Sequence, residues 1–320
     1  MRSTPKPNLV IAGVHKAGTT SLFRYLSQHD EICIAGAKTQ ARYFSPLRRG
    51  EGTLEPIEEF SKRHFAHCGE RRYRMEASSN YLFGGDRLVD AIATSLDDPR
   101  IIVSLRDPVT RMWSFFNYMK SMFSIPKEMS FGEYLLVARD LRAKGDDDAY
   151  ENRAFGAYPS GFYCSHIEPW LETFGERVRV VFFENLVRDP GAVVKDICDW
   201  LEISSEPVTR FDYSPANVTV RQKSKLLRRS AFFINRHGQR LLPKRVKPLL
   251  NELYYRINSE AVAEKLPDAL RAELEDEYAP SNRQLAILLR SYGYSDLPKW
   301  LTDDKGEPQL RDVVPAPSRT

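Results

Sequence analysis

A chain of 320 residues is long enough for one large α/β domain or for two small domains. Its 42% hydrophobic and 28% charged residues are ordinary for a soluble globular protein and exclude a disordered or fibrous chain. The net charge of +4 is too small to indicate nucleic acid as a partner. Because we find no run of 18 apolar residues and no apolar segment after the N-terminus, we expect neither a membrane span nor a signal peptide.

The first predicted elements suit a phosphate-binding protein. A buried strand is predicted over residues 9–12, "LVIA", and a helix over residues 19–28, with the loop "GVHKAGTTSL" of residues 13–22 joining them. A strand, a glycine-containing loop and a helix in this order bind phosphate in many α/β proteins. Two short apolar stretches, "EICIA" at 31–35 and "YRMEAS" at 73–78, predict further strands.

Two later segments repeat the strand–helix theme. Strands are predicted over residues 100–105 and 177–184, and helices over 109–122 and 190–203. This alternation predicts an α/β fold with a single P-loop-like domain, in which helices flank a central parallel sheet.

The domain is expected to occupy residues 1–300, and residues 301–320 form a polar tail that we expect to be flexible. Residues 48–70 have the pattern of an irregular surface insertion. Residues 221–247 contain ten Lys or Arg residues and no Asp or Glu. This basic segment is either a helix pair whose cations extend over an apolar stripe or an electropositive wall facing an anionic ligand.

The cysteines predict the redox compartment. Four of them are widely spaced and form no CxxC pair: Cys33, Cys68, Cys164 and Cys198. We interpret them as reduced thiols of a cytoplasmic protein. The motif "HFAHC", with His64, His67 and Cys68, has a partly metal-like spacing, but no second ligand cluster follows it at zinc-finger distance. It is therefore interpreted as a surface loop, and no metal site is predicted.

The lysine of the predicted phosphate loop is unusually placed. A nucleoside triphosphatase carries its lysine after the second glycine, where Thr19 stands here, whereas Lys16 lies inside the loop. No acidic residue in the loop could hold Mg²⁺, and the strand ending "SLRD" puts Arg106 before Asp107. Backbone amides and hydroxyls at the helix start can still hold one phosphate. The predicted binding residues of the loop are Lys16, Ala17, Gly18, Thr19, Thr20 and Ser21.

The loop resembles the 5′-phosphosulfate-binding loop of sulfotransferases that use 3′-phosphoadenosine 5′-phosphosulfate (PAPS). The segment "VSLRDPVTRMWSFFNY" resembles the 3′-phosphate-binding segment of the same family, which implies that Arg106 and Ser114 hold the 3′-phosphate. The stretches "SGFYCSHIEPWLETFGERVRVVFFENLVRDP" and "APSNRQLAILLRSYGYSDLPKW" extend the resemblance to nearly the whole chain. The pattern is most similar to the carbohydrate branch, which includes heparan sulfate sulfotransferases and bacterial relatives.

The resemblance implies in-line transfer of a sulfuryl group from PAPS to a hydroxyl or amine, with PAP as the product and no metal required. The implied acceptor is a small molecule or a glycan, such as a carbohydrate or glycolipid, and an anionic acceptor is among the options. Lys16 would neutralise charge on the leaving phosphate, which is worth about 3 kcal/mol of the barrier.

The general base is less clear. Relatives carry a Lys-Glu pair before an aromatic segment that corresponds to "RYF", but Gln40 stands where the glutamate is expected. An amide cannot accept a proton, so either another base acts or the acceptor is already nucleophilic, as an amine is. Glu76 in "RMEASSNYL" is the best remaining candidate, and its alternative role is to orient Lys16 or nearby backbone. The predicted catalytic residues are Lys16, Lys38 and Glu76.

Four other residues lie in or near the predicted site. Tyr163 either packs near the adenine or belongs to the core, and Arg221 is a candidate in a loop that closes over the nucleotide. Arg42, like Lys38, binds an anionic acceptor or the phosphosulfate, or is solvated. His15 either titrates near neutral pH or is a spectator beside the loop.

Two other functions remain open. A small-molecule kinase on the same scaffold would need ATP and Mg²⁺, and the positions of Lys16, Arg106 and Ser114 argue against it. A non-catalytic nucleotide-binding protein, suggested by Gln40, would bind PAP without turnover.

Overall fold

The computed structural model describes residues 6–35, 41–48, 52–147, 149–214, 220–222, 259–261 and 265–302, with the backbone alone described for 220–222 and 259–261. Three predictions lie outside these ranges: the role of Lys38, the consequence of Gln40, and the flexible tail beyond residue 302. The basic segment 221–247 lies outside them too, except for the backbone of its first two residues.

A five-stranded, all-parallel sheet forms the centre of the fold, with the strand order β2-β3-β1-β4-β5. A separate antiparallel pair, β6 and β7, lies apart from it, with β6 against helix 108–121. The strands are β1 Leu9–Gly13, β2 Ile32–Ile34, β3 Tyr73–Ala77, β4 Arg100–Leu105, β5 Val178–Phe182, β6 Val220–Gln222 and β7 Ser259–Ala261.

Helices cover both faces of the sheet. They are α1 Thr19–Leu26, α2 Ile57–Phe65, α3 Gly85–Ser95, α4 Pro108–Ser121, α5 Phe131–Lys144, α6 Cys164–Phe174, α7 Phe183–Arg188, α8 Pro190–Trp200, α9 Asp268–Ser291 and α10 Lys299–Thr302. Short 3₁₀ turns occur at Ser45–Leu47, Ala66–Cys68, Tyr81–Gly84, Tyr150–Asn152, Pro159–Gly161, Gly175–Arg177 and Glu206–Arg210.

The central strand β1 shows why the sheet is buried on both faces. All five of its residues are buried, and successive side chains enter two different apolar clusters. Val10 and Ala12 belong to one cluster, and Leu9 and Ile11 belong to the other, because side chains alternate between the faces of a strand. A continuous apolar run is therefore required, as in other parallel sheets covered by helices.

The predicted α/β fold with a central parallel sheet is confirmed. Each predicted strand is present, although β5 ends at Phe182 and Phe183 already begins α7. The prediction of an irregular insertion over residues 48–70 is wrong, because α2 occupies residues 57–65 and buries Ile57, Phe60 and Phe65. The apolar spacing of that segment is helical, and the many charges between the buried positions obscured it.

The prediction of four reduced thiols is also wrong. Cys33 and Cys68 form a disulfide, with Cα atoms 5.6 Å apart, whereas Cys164 and Cys198 are free. The two bonded residues are separated by 35 positions along the chain, so their spacing does not reveal the pairing. The cytoplasmic location stays a prediction. In the described part of the chain, none of the helices combines the length and the apolar character needed to cross a membrane.

Candidate functional site

The phosphate loop lies at the carboxyl end of β1, where its shape is held by the neighbouring strand β4. The Val14 amide donates a hydrogen bond to the Ser104 carbonyl over 2.9 Å, and the Ser104 hydroxyl donates to the Ala17 carbonyl over 2.5 Å. Gly18 has a φ of 79°, and a Cβ atom there would lie 2.9 Å from the Leu186 side chain. Glycine is therefore required at this position for both conformation and space.

Helix α1 begins directly after the loop, at Thr19. The amides of its first turn have no partners within the helix, and that turn contains no acidic residue. Together with the positive end of the helix dipole, they form a site for a doubly charged anion. The predicted residues Lys16, Ala17, Gly18, Thr19, Thr20 and Ser21 therefore occupy the loop and the first turn of α1.

Lys16 and Arg106 meet on this loop. The Arg106 guanidinium donates to the Lys16 carbonyl over 3.0 Å, and its carbon lies 4.4 Å from the Phe183 ring centre. Lys16 adopts a φ of 67°, and its ammonium lies 4.8 Å from the centre of the Tyr118 ring. Burial, together with the charge of Arg106, lowers the pKa of Lys16 to about 8. Two cations therefore converge beside the helix start.

The backbone that carries Arg106 is held rigidly. The Tyr163 hydroxyl donates to the Arg106 carbonyl over 2.8 Å, and the Asp107 amide donates to the Glu184 carboxylate over 3.0 Å. The Asp107 carboxylate then caps α4 by accepting from the Thr110 amide. Tyr163 is fully buried, so it lies behind Arg106 and has no surface open to a ligand.

Ser114 lies on the face of α4 that is turned toward the loop. Thr110, Ser114 and Tyr118 are four residues apart, so they share one face of the helix. Thr110 accepts a hydrogen bond from Arg106 Nε over 3.3 Å, and Tyr118 contacts Lys16. The half-buried Ser114 is placed between these two contacts. Strand β6, which contains Arg221, also lies against α4.

A second cleft of about 300 Å³ opens beside the loop, and its walls carry two arginines. Arg42 is exposed and Arg48 is half-buried, so both guanidinium groups can meet a ligand. Its lining residues are His15, Arg42, Ser45, Pro46, Arg48, Ser78, Ser79, Asn80 and Tyr150. Because His15 belongs to the loop and directly precedes Lys16, this cleft adjoins the first residues of the phosphate loop.

Glu76 lies buried under the wall of this cleft and is 1% exposed. Its Oε1 atom accepts hydrogen bonds from the Tyr43 amide over 3.1 Å and from the Tyr81 hydroxyl over 2.7 Å. Its Oε2 atom has no hydrogen-bond partner within the described residues. Burial raises the pKa of Glu76 to about 7, although its hydrogen bonds act in the opposite direction.

His15 does not titrate near neutral pH. Burial, together with Arg111 and Lys16, lowers the pKa of His15 to about 3. Its ring packs edge-on against Phe115, with the ring centres 6.0 Å apart. The spectator interpretation therefore agrees with the structure.

Sequence reasoning missed three residues of the site. Tyr118 and Phe183 contact the two cations through their ring faces, and aromatic residues at helical spacing look like ordinary core. Arg48 was missed because it falls in the stretch interpreted as an irregular insertion. The sequence offered one signal for Tyr118: it lies four residues after Ser114 in a predicted helix, and therefore on the same face.

The family model described as "Sulfotransferase domain" matches residues 6–215, about two thirds of the chain. The chain belongs to the sulfotransferase domain family. The phosphate loop, Glu76, Arg106 and Ser114 all lie within the range that matches the family model.

The chain is similar to several longer proteins. It is 25% identical over 225 residues to the human bifunctional heparan sulfate N-deacetylase/N-sulfotransferase 3, which covers 66% of this chain and 23% of that protein. It is 28% identical over 196 residues to the mouse heparan sulfate glucosamine 3-O-sulfotransferase 3A1, which covers 61% of this chain and 45% of that protein. The chain therefore matches less than half the length of these relatives.

A solved structure matches a larger share of the chain. The crystal structure of a sulfotransferase from Alicyclobacillus acidocaldarius superimposes with a TM-score of 0.61 at 27% sequence identity. The match covers 92% of this chain and 98% of that one.

Proposed function

We propose that the protein transfers a sulfuryl group from PAPS to a hydroxyl or amine of a carbohydrate or glycolipid. The observation that carries the proposal is the meeting of Lys16 and Arg106 on a loop at a helix start whose first turn has no acidic residue. A triphosphatase would need an acidic ligand for Mg²⁺ near this point. Two cations and a set of backbone amides instead suit two phosphate groups without a metal.

The residues fit the two phosphate-bearing ends of PAPS. The loop amides, with the hydroxyls of Thr19, Thr20 and Ser21, suit the 5′-phosphosulfate. Arg106 and Ser114 suit the 3′-phosphate, because a guanidinium and a hydroxyl on adjoining elements can bind one dianion together. Tyr163 contributes indirectly through the Arg106 carbonyl. Arg221 is proposed to approach the same end from β6, which lies against α4.

When bound, PAPS supplies an activated sulfuryl group whose bond to the bridging phosphate oxygen breaks as the acceptor atom bonds to sulfur. Lys16 would hold the phosphate of bound PAPS with its ammonium and would offset the negative charge that collects there. Its pKa of about 8 leaves it mostly protonated at neutral pH. Because the loop is fixed by β4, these donors are in place before the reaction begins.

We propose Glu76 as the proton acceptor for the attacking hydroxyl. Two donors fix its Oε1 atom, while its Oε2 atom lacks a protein partner in the described part of the chain. A pKa of about 7 is near the optimum for a general base at neutral pH. The acceptor would reach Glu76 past Ser78 and Ser79, which follow β3 and line the cleft. Lys38, in the segment before Tyr43, is proposed as a further catalytic residue.

The second cleft, which we propose as the acceptor cleft, favours an anionic sugar. Arg42 and Arg48 supply positive charge, and the ring of Tyr150, which is 57% exposed, can stack on the face of a sugar ring. The relatives named for heparan sulfate support a glycan of this charge.

Calorimetric titration tests the nucleotide assignment. PAP should bind the protein in the presence of a metal chelator, and ADP with Mg²⁺ should bind more weakly. Turnover should then be measured with sulfur-labelled PAPS and a sulfated or carboxylated oligosaccharide. Equal or tighter binding of ADP with Mg²⁺ would reject the proposal in favour of a kinase, and tight PAP binding without turnover on any acceptor would indicate a non-catalytic protein.

A further inference from the structure

A group of side chains that could ligate a metal ion lies at the edge strand β2. The disulfide-bonded Cys33 and Cys68 are joined there by His67, whose Nε2 atom lies 3.5 Å from the Cys33 sulfur. The two sulfurs and the nearest His67 nitrogen all lie within 4.8 Å of one another. The residue that completes a possible ligand group with the motif "HFAHC" is Cys33, which precedes the motif in the chain. A search for ligands after the motif therefore misses it.

Contacts other than the disulfide also hold the elements on both sides of this group. β2 pairs with β3 through Ile32 opposite Tyr73 and Cys33 opposite Arg74, and the Tyr73 amide donates to the Glu31 carbonyl over 2.9 Å. Helix α2 is held separately by its own buried apolar face. Reduction of the disulfide would therefore leave Cys33 and Cys68 side by side.

The donor set has the chemistry of a zinc site. Thiolate and imidazole are the ligands that Zn²⁺ prefers, at about 2.3 Å for sulfur and about 2.0–2.1 Å for nitrogen. In a tetrahedron these lengths place a nitrogen and a sulfur ligand about 3.6 Å apart. The observed separation of 3.5 Å between His67 Nε2 and Cys33 Sγ is close to that edge. The two sulfurs, which are bonded to each other in the disulfide, would have to separate to about 3.8 Å to share one ion.

Access to the group is asymmetric. Both cysteines are 3% exposed, whereas His67 is exposed. An ion can therefore arrive from solvent on the histidine side, and a water molecule can supply the fourth ligand, as in zinc sites with three protein ligands. The buried sulfurs limit the exchange of the bound ion.

We propose that reduction of the Cys33–Cys68 disulfide creates a zinc site formed by both thiolates and His67. A dithiol reductant donates two electrons and two protons, which converts the disulfide to two thiols while the reductant becomes a disulfide. Zn²⁺ then replaces the two thiol protons, which pass to solvent. A disulfide oxidant reverses the process: two electrons leave the thiolates, the sulfur–sulfur bond forms, and Zn²⁺ is released.

Metal titration of the whole chain tests the proposal. Reduced and oxidised protein are titrated with Zn²⁺ against a chromophoric chelator, and with Co²⁺ to record the ligand-field bands of a tetrahedral thiolate site. Reduced wild type should bind one ion per chain, and the oxidised protein should bind none. Cys33→Ser should abolish this binding, and His67→Ala should weaken it at least tenfold. Cys164→Ser, which changes a free thiol outside the group, serves as the control.

Three outcomes would overturn the proposal: no binding by the reduced protein, equal binding by both redox forms, or unchanged affinity in His67→Ala. His67 is exposed, so its substitution tests the site even if Cys33→Ser fails to fold. PAP affinity should stay within about twofold of wild type in His67→Ala, because this residue is not among the proposed PAP-binding residues.

Discussion

The proposed nucleotide cradle, formed by the phosphate loop, the start of α1, Arg106 and Ser114, adjoins the proposed acceptor cleft at His15. The two regions are built differently. The cradle consists of backbone amides at the ends of β1 and the start of α1, with half-buried cations held between strand and helix. The cleft is lined by side chains of irregular segments, among them the exposed Arg42 and Tyr150. Under the proposed function, the common chemistry would therefore rest on fixed backbone, whereas acceptor recognition would rest on side chains that can change without disturbing the sheet.

The charged side chains of the two regions also differ in how strongly water and salt screen them. In the cradle, desolvation lowers the pKa of Lys16 to about 8, so its charge is poorly screened by water. Arg42 in the cleft is exposed, and salt screens its attraction for a ligand. Substitutions in the cradle should therefore cost more than substitutions in the cleft, and the predictions below test this order.

The largest effect is expected for Lys16→Ala. Loss of a preorganised charge at the leaving group should lower kcat by about 10²–10³-fold. Single-turnover kinetics with sulfur-labelled PAPS would measure the change. Lys195→Ala, at an exposed lysine paired with Asp199 on α8, is the matched control and should leave kcat unchanged. A similar kcat for both variants would remove Lys16 from the chemistry.

Glu76→Gln is expected to lower kcat/KM about 10²-fold and to change its pH dependence. With the carboxylate as base, kcat/KM should rise as pH increases through about 7 and fall above about 8, where Lys16 loses its proton. The variant should lose the rising limb and keep the falling limb. If the rising limb persists and only KM increases, Glu76 acts by holding the Tyr43 backbone and not as the base.

Arg106→Ala should weaken PAP binding by about 10–100-fold, the usual value for a charge-assisted hydrogen bond to a phosphate. Adenosine 5′-phosphosulfate lacks the 3′-phosphate, so its affinity should change far less. Calorimetry with both ligands separates a local role from a general one. Equal losses for the two ligands would mean that Arg106 supports the loop through the Lys16 carbonyl alone.

The smallest effect is expected for Arg48→Ala, which should raise KM for an anionic acceptor about threefold to tenfold and leave PAP affinity unchanged. This increase should shrink at high salt, because the interaction is partly exposed. Steady-state assays with charged and neutral acceptors would show it. An equal effect on a neutral acceptor would contradict a charge-based role for the cleft.

The predicted strands, the phosphate loop and the helix after it are readable locally, because strand burial and glycine spacing are properties of neighbouring residues. The resemblance of "VSLRDPVTRMWSFFNY" to a sulfotransferase segment added Arg106 and Ser114 to the predicted site. Helix α2 was not recognised, because its apolar positions are separated by charged residues whose solvent exposure only the packed fold reveals.

The amino-acid sequence by itself determined the parallel sheet, the position of the anion-binding loop and the unusual early lysine, since each depends on short-range pattern. Only the tertiary structure decided that Tyr118 and Phe183 flank the two cations, and that Cys33 meets His67 and Cys68. It also decided that one Glu76 oxygen lacks a hydrogen-bond partner among the described residues. The physical reason is that desolvation and ligand geometry depend on groups brought together across tens of residues, and spacing along the chain does not encode those distances.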